Sequence, residues 1–246
     1  MRLRISLRKK DCVLPLNYQH LLQGFIYQSL PKEEEGAFYH DQGYHSGNRK
    51  YKMFVFSNLL GQNHVDVKNR TITFEEDFHF FFASEDENLV QKFYEFLQNN
   101  QRIVLGKEII EITGTDILTN PYFRGTKELT IRTLSPLVAY RTADNYVTYY
   151  KPSSPEFEQL IIDNLERKLD SLNVRNTISF KMIEVLSEKK RKIHYKNTFY
   201  EAYTAVMKIE VNSDTLSLLL NTGISAKGSA GFGMIETVNE KNLLSL

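Results

Sequence analysis

The stretch Gly223–Met234 reads GISAKGSAGFGM and places four of the chain's twelve glycines within eleven residues. Glycine clusters where the backbone needs positive φ or where another group must approach the main chain closely. Successive amides in such a loop can form an anion-binding concavity, to which Lys227 adds a point charge. A plain turn between helix and strand is the simpler alternative. The spacing Gly223–Gly228 is that of an ATPase phosphate loop, but Ser229 stands where that motif needs Lys, which excludes the class.

The loop follows a Leu-rich segment (Leu216, Leu218, Leu219, Leu220), read as a short helix capped by Asp214, and precedes a strand over Phe232–Val238. Upstream, Phe199–Val211 alternates with Tyr203, Ala205, Met207, Ile209 and Val211 on one face. Ile178–Leu186 and Lys192–Tyr195 read as two strands of a hairpin. It carries the basic block Lys189, Lys190, Arg191, Lys192 and Lys196. Ser153–Ser154–Pro155 opens a helix with the stripe Phe157, Leu160, Ile161, Leu165 and Leu169. Leu129–Leu134 and Tyr146–Tyr150 are further strands.

The first half has the same grammar. Arg2–Arg8 alternates Leu3, Ile5 and Leu7 with arginines, a half-buried strand with a basic outer face. Leu21, Leu22, Phe25, Ile26 and Leu30 recur at helical spacing. Lys50–Ser57, Val65–Val67, Thr71–Phe74 and Phe78–Phe82 are strand-like, the last more suited to core than to a stacking platform. Ser84 is the expected cap of a second helix with the stripe Leu89, Val90, Phe93, Phe96 and Leu97. Ile103–Leu105 and Glu108–Ile117 close this half.

The order strand, helix, strand, strand, helix, strand is the ferredoxin-like pattern, and the second half repeats it with extra strands. The expected fold is therefore α+β, with two tandem ferredoxin-like (βαββαβ) domains at residues 1–119 and 127–246. The turn-rich linker 120–126 joins them.

Composition narrows the function. A single cysteine, Cys12, excludes a disulfide framework and a cysteine-based zinc site. His40, Asp41 and His45 are too weakly spaced to make a metal site, so neither metal nor cofactor is expected. No run approaches the roughly 18 apolar residues of a membrane span, and basic residues interrupt the N-terminal apolar pattern. A cytoplasmic protein without a membrane partner is the expectation. The net charge is +1, but residues 123–246 hold 17 basic against 14 acidic residues, where residues 1–122 hold 14 against 16.

Tyr27, His40 and Lys52 stand out as a set suited to cutting RNA without metal. A base takes the ribose 2′-OH proton, an acid protonates the leaving 5′ oxygen, and a cation stabilises the phosphorane. His suits the proton work near neutral pH. Residue chemistry alone does not select these three from the other tyrosines and lysines.

A family resemblance does. MRLRISL (1–7), NYQHLLQGFIYQSL (17–30), FYHD (38–41), KMFVFS (52–57) and GISAKGSAGFGMIE (223–236) resemble, in this order, the CRISPR-associated repeat-processing endoribonucleases of the RAMP superfamily. The resemblance runs from residue 1 to about 238. It implies two tandem ferredoxin-like domains and metal-independent cleavage of precursor CRISPR RNA within each repeat. The ends would be a 2′,3′-cyclic phosphate and a 5′-hydroxyl, and the guide RNA would be handed to an interference complex.

The resemblance also implies a site: Tyr27 at the end of the first helix, His40 after an aromatic pair, Lys52 opening the next strand. The glycine loop would lie near the inter-domain cleft and hold the RNA backbone through Gly223, Lys227, Gly228, Gly231 and Gly233. Two departures stand out. Ser225 replaces the second glycine of the loop's GxG start, and the longer segment from His40 to Lys52 carries His45, an alternative acid or base. Arg2, Arg4, Arg49 and Lys50 are candidate RNA contacts around the cleft, as are Lys189, Lys190, Arg191 and Lys192. The competing reading is a non-catalytic subunit that holds repeat RNA. A small-molecule module is disfavoured, because basic hairpin and glycine loop both suit a polyanion. Monomer and homodimer both remain open.

Overall fold

The computed structural model describes residues 1–30, 43–47, 49–144 and 146–238. Strand β1 (Arg2–Arg8) sits at the centre of the first sheet because its alternation makes it two-faced: Leu3, Ile5 and Leu7 are fully buried, Arg4 and Arg8 exposed. After a turn, β2 (Cys12–Pro15) leads into helix α1 (Gln19–Gln28). A small hairpin follows, β3 (Tyr44–Ser46) and β4 (Arg49–Tyr51), then β5 (Phe54–Phe56), β6 (Leu60–Asp66) and the long β7 (Thr71–Ser84). Helix α2 (Glu87–Asn99), β8 (Arg102–Leu105) and β9 (Glu108–Leu118) complete this half.

The sheet order is β2-β7-β1-β9-β8, with β5 and β6 on the other side of β7. All pairings are antiparallel. The central run β9-β1-β7-β5/β6 is the ferredoxin-like order. Leu22, Phe25 and Ile26 of α1 and Leu89, Val90, Phe93 and Leu97 of α2 share one core with Leu3, Ile5, Phe80 and Phe82 of the sheet.

The second half contains β10 (Thr126–Thr133), the hairpin β11 (Ala139–Ala143) and β12 (Tyr146–Tyr150), helix α3 (Glu156–Ser171), β13 (Phe180–Tyr195), β14 (Thr198–Asn212), helix α4 (Ser213–Thr222) and β15 (Ile235–Val238). Its sheet order, β13-β14-β10-β15, is the same arrangement again. A second core joins Phe157, Ile161 and Leu165 of α3 and Leu216 and Leu219 of α4 to Ile131, Met207 and Ile209. Val55, Phe81, Ala83, Leu134 and Met234 form a smaller apolar contact between the two halves. Among the described residues no helix is long and apolar enough to cross a membrane.

Four local expectations are corrected. The cap of α2 is Asp86, whose carboxylate accepts from the amides of Asn88 and Leu89; Ser84 is occupied by donating to the Met53 carbonyl. The cap of α4 is Asn212, accepting from the Thr215 amide, and Asp214 lies inside the first turn. The single strand expected over Lys50–Ser57 is broken at Met53, whose φ is +52°. Lys189–Lys192 lie inside one long strand rather than across a hairpin, and Lys196 lies in the turn that follows it. Bulges between Met182 and Glu184 and between Val185 and Ser187 disrupt the side-chain alternation of β13, while its backbone pairing with β14 continues.

Candidate functional site

The glycine loop is built by close approach. It leaves α4 at Gly223, whose φ is +76° and whose amide donates to the Leu219 carbonyl. Lys168 of α3, fully buried, clamps this corner by donating to both oxygens of Thr222 that face it (carbonyl 3.2 Å, hydroxyl 3.0 Å) and to the Gly223 carbonyl at 2.7 Å. Burial pulls its pKa down to about 7. Downstream, the Ile224 amide donates to Gly233, and the Gly233 amide to Pro136. Ser225 is buried and staples the loop to β11's approach: its hydroxyl donates to the Val138 carbonyl and accepts from the Val138 amide.

Gly223, Gly231 and Gly233 are buried against the protein itself. A methyl at Gly231 would lie 2.6 Å from the Phe56 ring, and one at Gly223 would lie 2.9 Å from both the Gly233 carbonyl and Val55. The amides of residues 230–234 are all engaged inside the fold. The accessible part of the loop is 226–230, with Lys227 and the half-buried Gly228, the latter pressed against the Phe54 carbonyl.

Helix α1 meets this exposed part. Gln23 donates from Nε2 to the Ser229 carbonyl at 2.6 Å and accepts from the Tyr195 hydroxyl of β13, so one side chain ties helix, loop and strand together. One turn further along α1, the half-buried Tyr27 sets its ring edge-on to Phe54 of β5, with centroids 5.7 Å apart. Burial raises the Tyr195 phenol, and nearby Tyr27 and Tyr200 raise it further. Lys227 extends its ammonium over the rings of Tyr200 at 5.2 Å and Tyr140 at 5.7 Å. Tyr27, Gln23, Lys227 and three further tyrosines thus border one surface beside the glycine loop.

Lys52 lies between β4 and β5, half-buried, its stem close to Gly43. The hairpin before it is strapped down: Tyr44 donates to Asp86 at 2.6 Å, Ser46 donates to Asp170, and Arg167 of α3 donates to the Tyr51 hydroxyl at 3.3 Å. His45 is exposed on β3, paired in register with Lys50, and Arg49 and Lys50 are exposed on β4. His40 lies outside the described residues.

The remaining basic candidates divide. Arg2 is buried, donates to the Ile235 carbonyl at 3.1 Å and stacks over Phe81 at 4.7 Å; burial lowers its pKa to about 10. It is therefore built into the contact between the two halves. Arg4 stays exposed on β1. Lys189, Lys190, Arg191 and Lys192 are all exposed. Successive strand residues point to opposite faces, so Lys189 and Arg191 part from Lys190 and Lys192. Lys189 faces a cavity of about 820 Å³ between the two sheets, shared with His79, Phe81 and Arg132. Lys190 pairs with Glu201, and Lys192 lies over the Phe199 ring. Sequence reasoning missed Lys168, Gln23 and Arg167. All three act through partners distant in the chain, and only Gln23 falls within a quoted motif, where nothing marked its role.

The chain matches known proteins over nearly its whole length. A family model described as CRISPR-associated protein Cas6, N-terminal, matches residues 13–113, and one described as CRISPR associated protein Cas6, C-terminal, matches residues 118–237. The CRISPR-associated endoribonuclease Cas6 1 of Methanocaldococcus jannaschii is 24% identical over 249 residues, covering 98% of this chain and 94% of that protein. The CRISPR-associated endoribonuclease Cas6 of Pyrococcus furiosus is 24% identical over 235 residues, covering 93% and 85%. A solved structure described as a RAMP protein binding different RNA substrates superposes with a TM-score of 0.78 at 17% identity, covering 97% of this chain and all (100%) of that one.

Proposed function

This chain belongs to the CRISPR-associated Cas6 family, and from that premise we propose that it is an endoribonuclease that cuts precursor CRISPR RNA within its repeats to release guide RNAs. The observation that carries the reading is the junction at Gln23, which holds the exposed turn of the glycine loop one helical turn below Tyr27. An RNA strand laid across that turn meets Lys227 and lies within reach of a tyrosine hydroxyl.

The proposed chemistry needs no metal. The ribose 2′-OH gives its proton to a base as O2′ bonds to phosphorus. The P–O5′ bond breaks, and O5′ takes a proton from an acid. The products are a 2′,3′-cyclic phosphate and a 5′-hydroxyl. His40 supplies acid or base, with His45 as the alternative; Tyr27 works at the 2′-OH, and Lys52 stabilises the phosphorane charge. Arg4, Arg49, Lys50, Lys227 and the exposed lysines of β13 attract the RNA backbone. The product guide RNA passes to an interference complex.

The test is cleavage of end-labelled repeat RNA from the host's own array, in EDTA, by the native protein and by His40→Ala. A single cut with a cyclic-phosphate end, lost or strongly slowed in the variant, is expected. Undiminished cleavage by the variant moves the acid–base role to His45 or elsewhere. Tight binding with no cut by either protein overturns the nuclease in favour of an RNA-holding subunit.

A further inference from the structure

One turn of helix α3 ties together pieces of both halves beside the candidate site. Arg167 and Asp170 are three residues apart and so share one face of the helix. That face meets the β3–β4 hairpin: Arg167 Nε donates to the Tyr51 hydroxyl at 3.3 Å, and Asp170 accepts from the Ser46 hydroxyl at 2.6 Å. Lys168 lies a step of about 100° around the helix from Arg167. It turns instead to the corner of the glycine loop, where it donates to Thr222 and Gly223. The same helical turn thus fixes the hairpin of the first half and the loop of the second half relative to one another.

Lys52 is the residue that this arrangement reaches. It is half-buried and stands between two anchored neighbours. On one side the buried Met53 takes a φ of +52°, and its carbonyl accepts from the Ser84 hydroxyl at 2.7 Å and the Glu85 amide at 3.0 Å. That anchor lies within the first half. On the other side the buried Tyr51 carries the bond from Arg167. This second anchor refers Lys52 to α3, and through Lys168 to the glycine loop.

We propose that Arg167 is a positioning residue: through Tyr51 it sets Lys52 in place relative to the glycine loop, so that the lysine meets a phosphate held there. This assignment rests on the nuclease reading, in which Lys52 stabilises the phosphorane, and adds to it a residue that never touches RNA. Misplacing a reacting group by about 1 Å costs on the order of 10²-fold in rate. Losing a phosphate contact acts on affinity and on its salt dependence instead.

The test reads single-turnover cleavage of repeat RNA beside affinity for the same RNA with a 2′-deoxy sugar at the cut. Arg167→Met and Tyr51→Phe should each slow cleavage by about 10–10²-fold, with affinity and its salt slope unchanged. The two together should be no slower than either alone, because both remove one bond. In Arg167→Gln the side-chain Nε2 lies as many bonds from Cα as the arginine Nε, so a donor stays and the charge goes. Its rate should return close to native. In a Lys52→Ala background, Arg167→Met should slow cleavage no further. Thermal melts of each variant confirm folding.

Further slowing by Arg167→Met in the Lys52→Ala background overturns the assignment, as does an Arg167→Gln no faster than Arg167→Met. A loss confined to affinity, with a salt slope shallower by about one, makes Arg167 a phosphate contact and overturns it too. The two levels separate cleanly. If native protein cuts and Lys52→Ala is slow, but Arg167→Met cuts at the native rate, only the role of Arg167 falls. If native protein does not cut, or Lys52→Ala cuts as fast as native, the reading of the site falls and takes Arg167 with it.

Discussion

Gly233 lies against Ser225 so closely that a methyl at 233 would sit 2.3 Å from the serine Cβ and 2.6 Å from its amide nitrogen. Its φ is +77° as well. Backbone strain and overpacking therefore add in Gly233→Ala, for an expected loss of about 2–5 kcal/mol. Gly125→Ala isolates the strain term, since Gly125 has φ +70° but nothing within 4 Å of an added methyl. Denaturant melts should show a loss of only about 1 kcal/mol there. Equal losses at both sites would mean that the loop relaxes freely around position 233.

Lys168 gives the protein a pH-dependent term. Its ordinary pKa of 10.5 is the unfolded value, and burial lowers the folded one to about 7. Between those values the unfolded chain holds the extra proton, so the term grows more favourable to folding as pH rises from 7 toward 10.5, by up to about 1.4 kcal/mol per pH unit. Urea melts of native protein and Lys168→Met at pH 7 to 9.5 should diverge in that direction. A difference independent of pH would mean that the three acceptors around the ammonium hold its pKa near the ordinary value.

Tyr27→Phe keeps the ring that packs on Phe54 and removes only the hydroxyl. Single-turnover cleavage should slow by about 10²–10⁴-fold, with affinity for 2′-deoxy-blocked repeat RNA unchanged. Lys52→Ala should slow cleavage by about 10²–10³-fold. A loss confined to affinity in either variant would reassign that residue to holding RNA.

Arg2→Met removes the donor to the Ile235 carbonyl and the cation over Phe81. The melting temperature should fall. Repeat-RNA affinity and its salt slope should not change, because a buried guanidinium neutralises no phosphate. A slope shallower by about one would return Arg2 to the RNA surface.

Local pattern carried the fold far. The Leu3, Ile5, Leu7 alternation marked the central strand, and the stripes of α1, α2 and α3 are the faces buried in the two cores. The break at Met53 and the unity of β13 were not legible. A positive φ at a non-glycine residue and bulges within a strand leave no periodic signature in the sequence. The glycine loop was legible as a place that needs glycines. Whether each one admits a ligand or a neighbouring chain depends on Phe56, Val55 and Ser225, which only the fold brings there. Lys168 carried no signal in the sequence, because its acceptors, Thr222 and Gly223, lie more than fifty residues away.

The lysines of β13 have a second consequence. β13 ends its sheet, so among the described residues its outer backbone groups pair with no other strand, apart from the Met182 amide, which donates to Glu158 of α3. Such an edge is a template for pairing with another chain, and charged side chains and bulges are the usual protection against it. β13 has both: two bulges, and a run of four exposed basic residues from Lys189 to Lys192. Substitutions that neutralise this run with Thr or Val would strip the edge of its guard, and the weaker RNA binder they create would also be a stickier protein. Glutamate at the same positions would repel RNA and leave the chains apart.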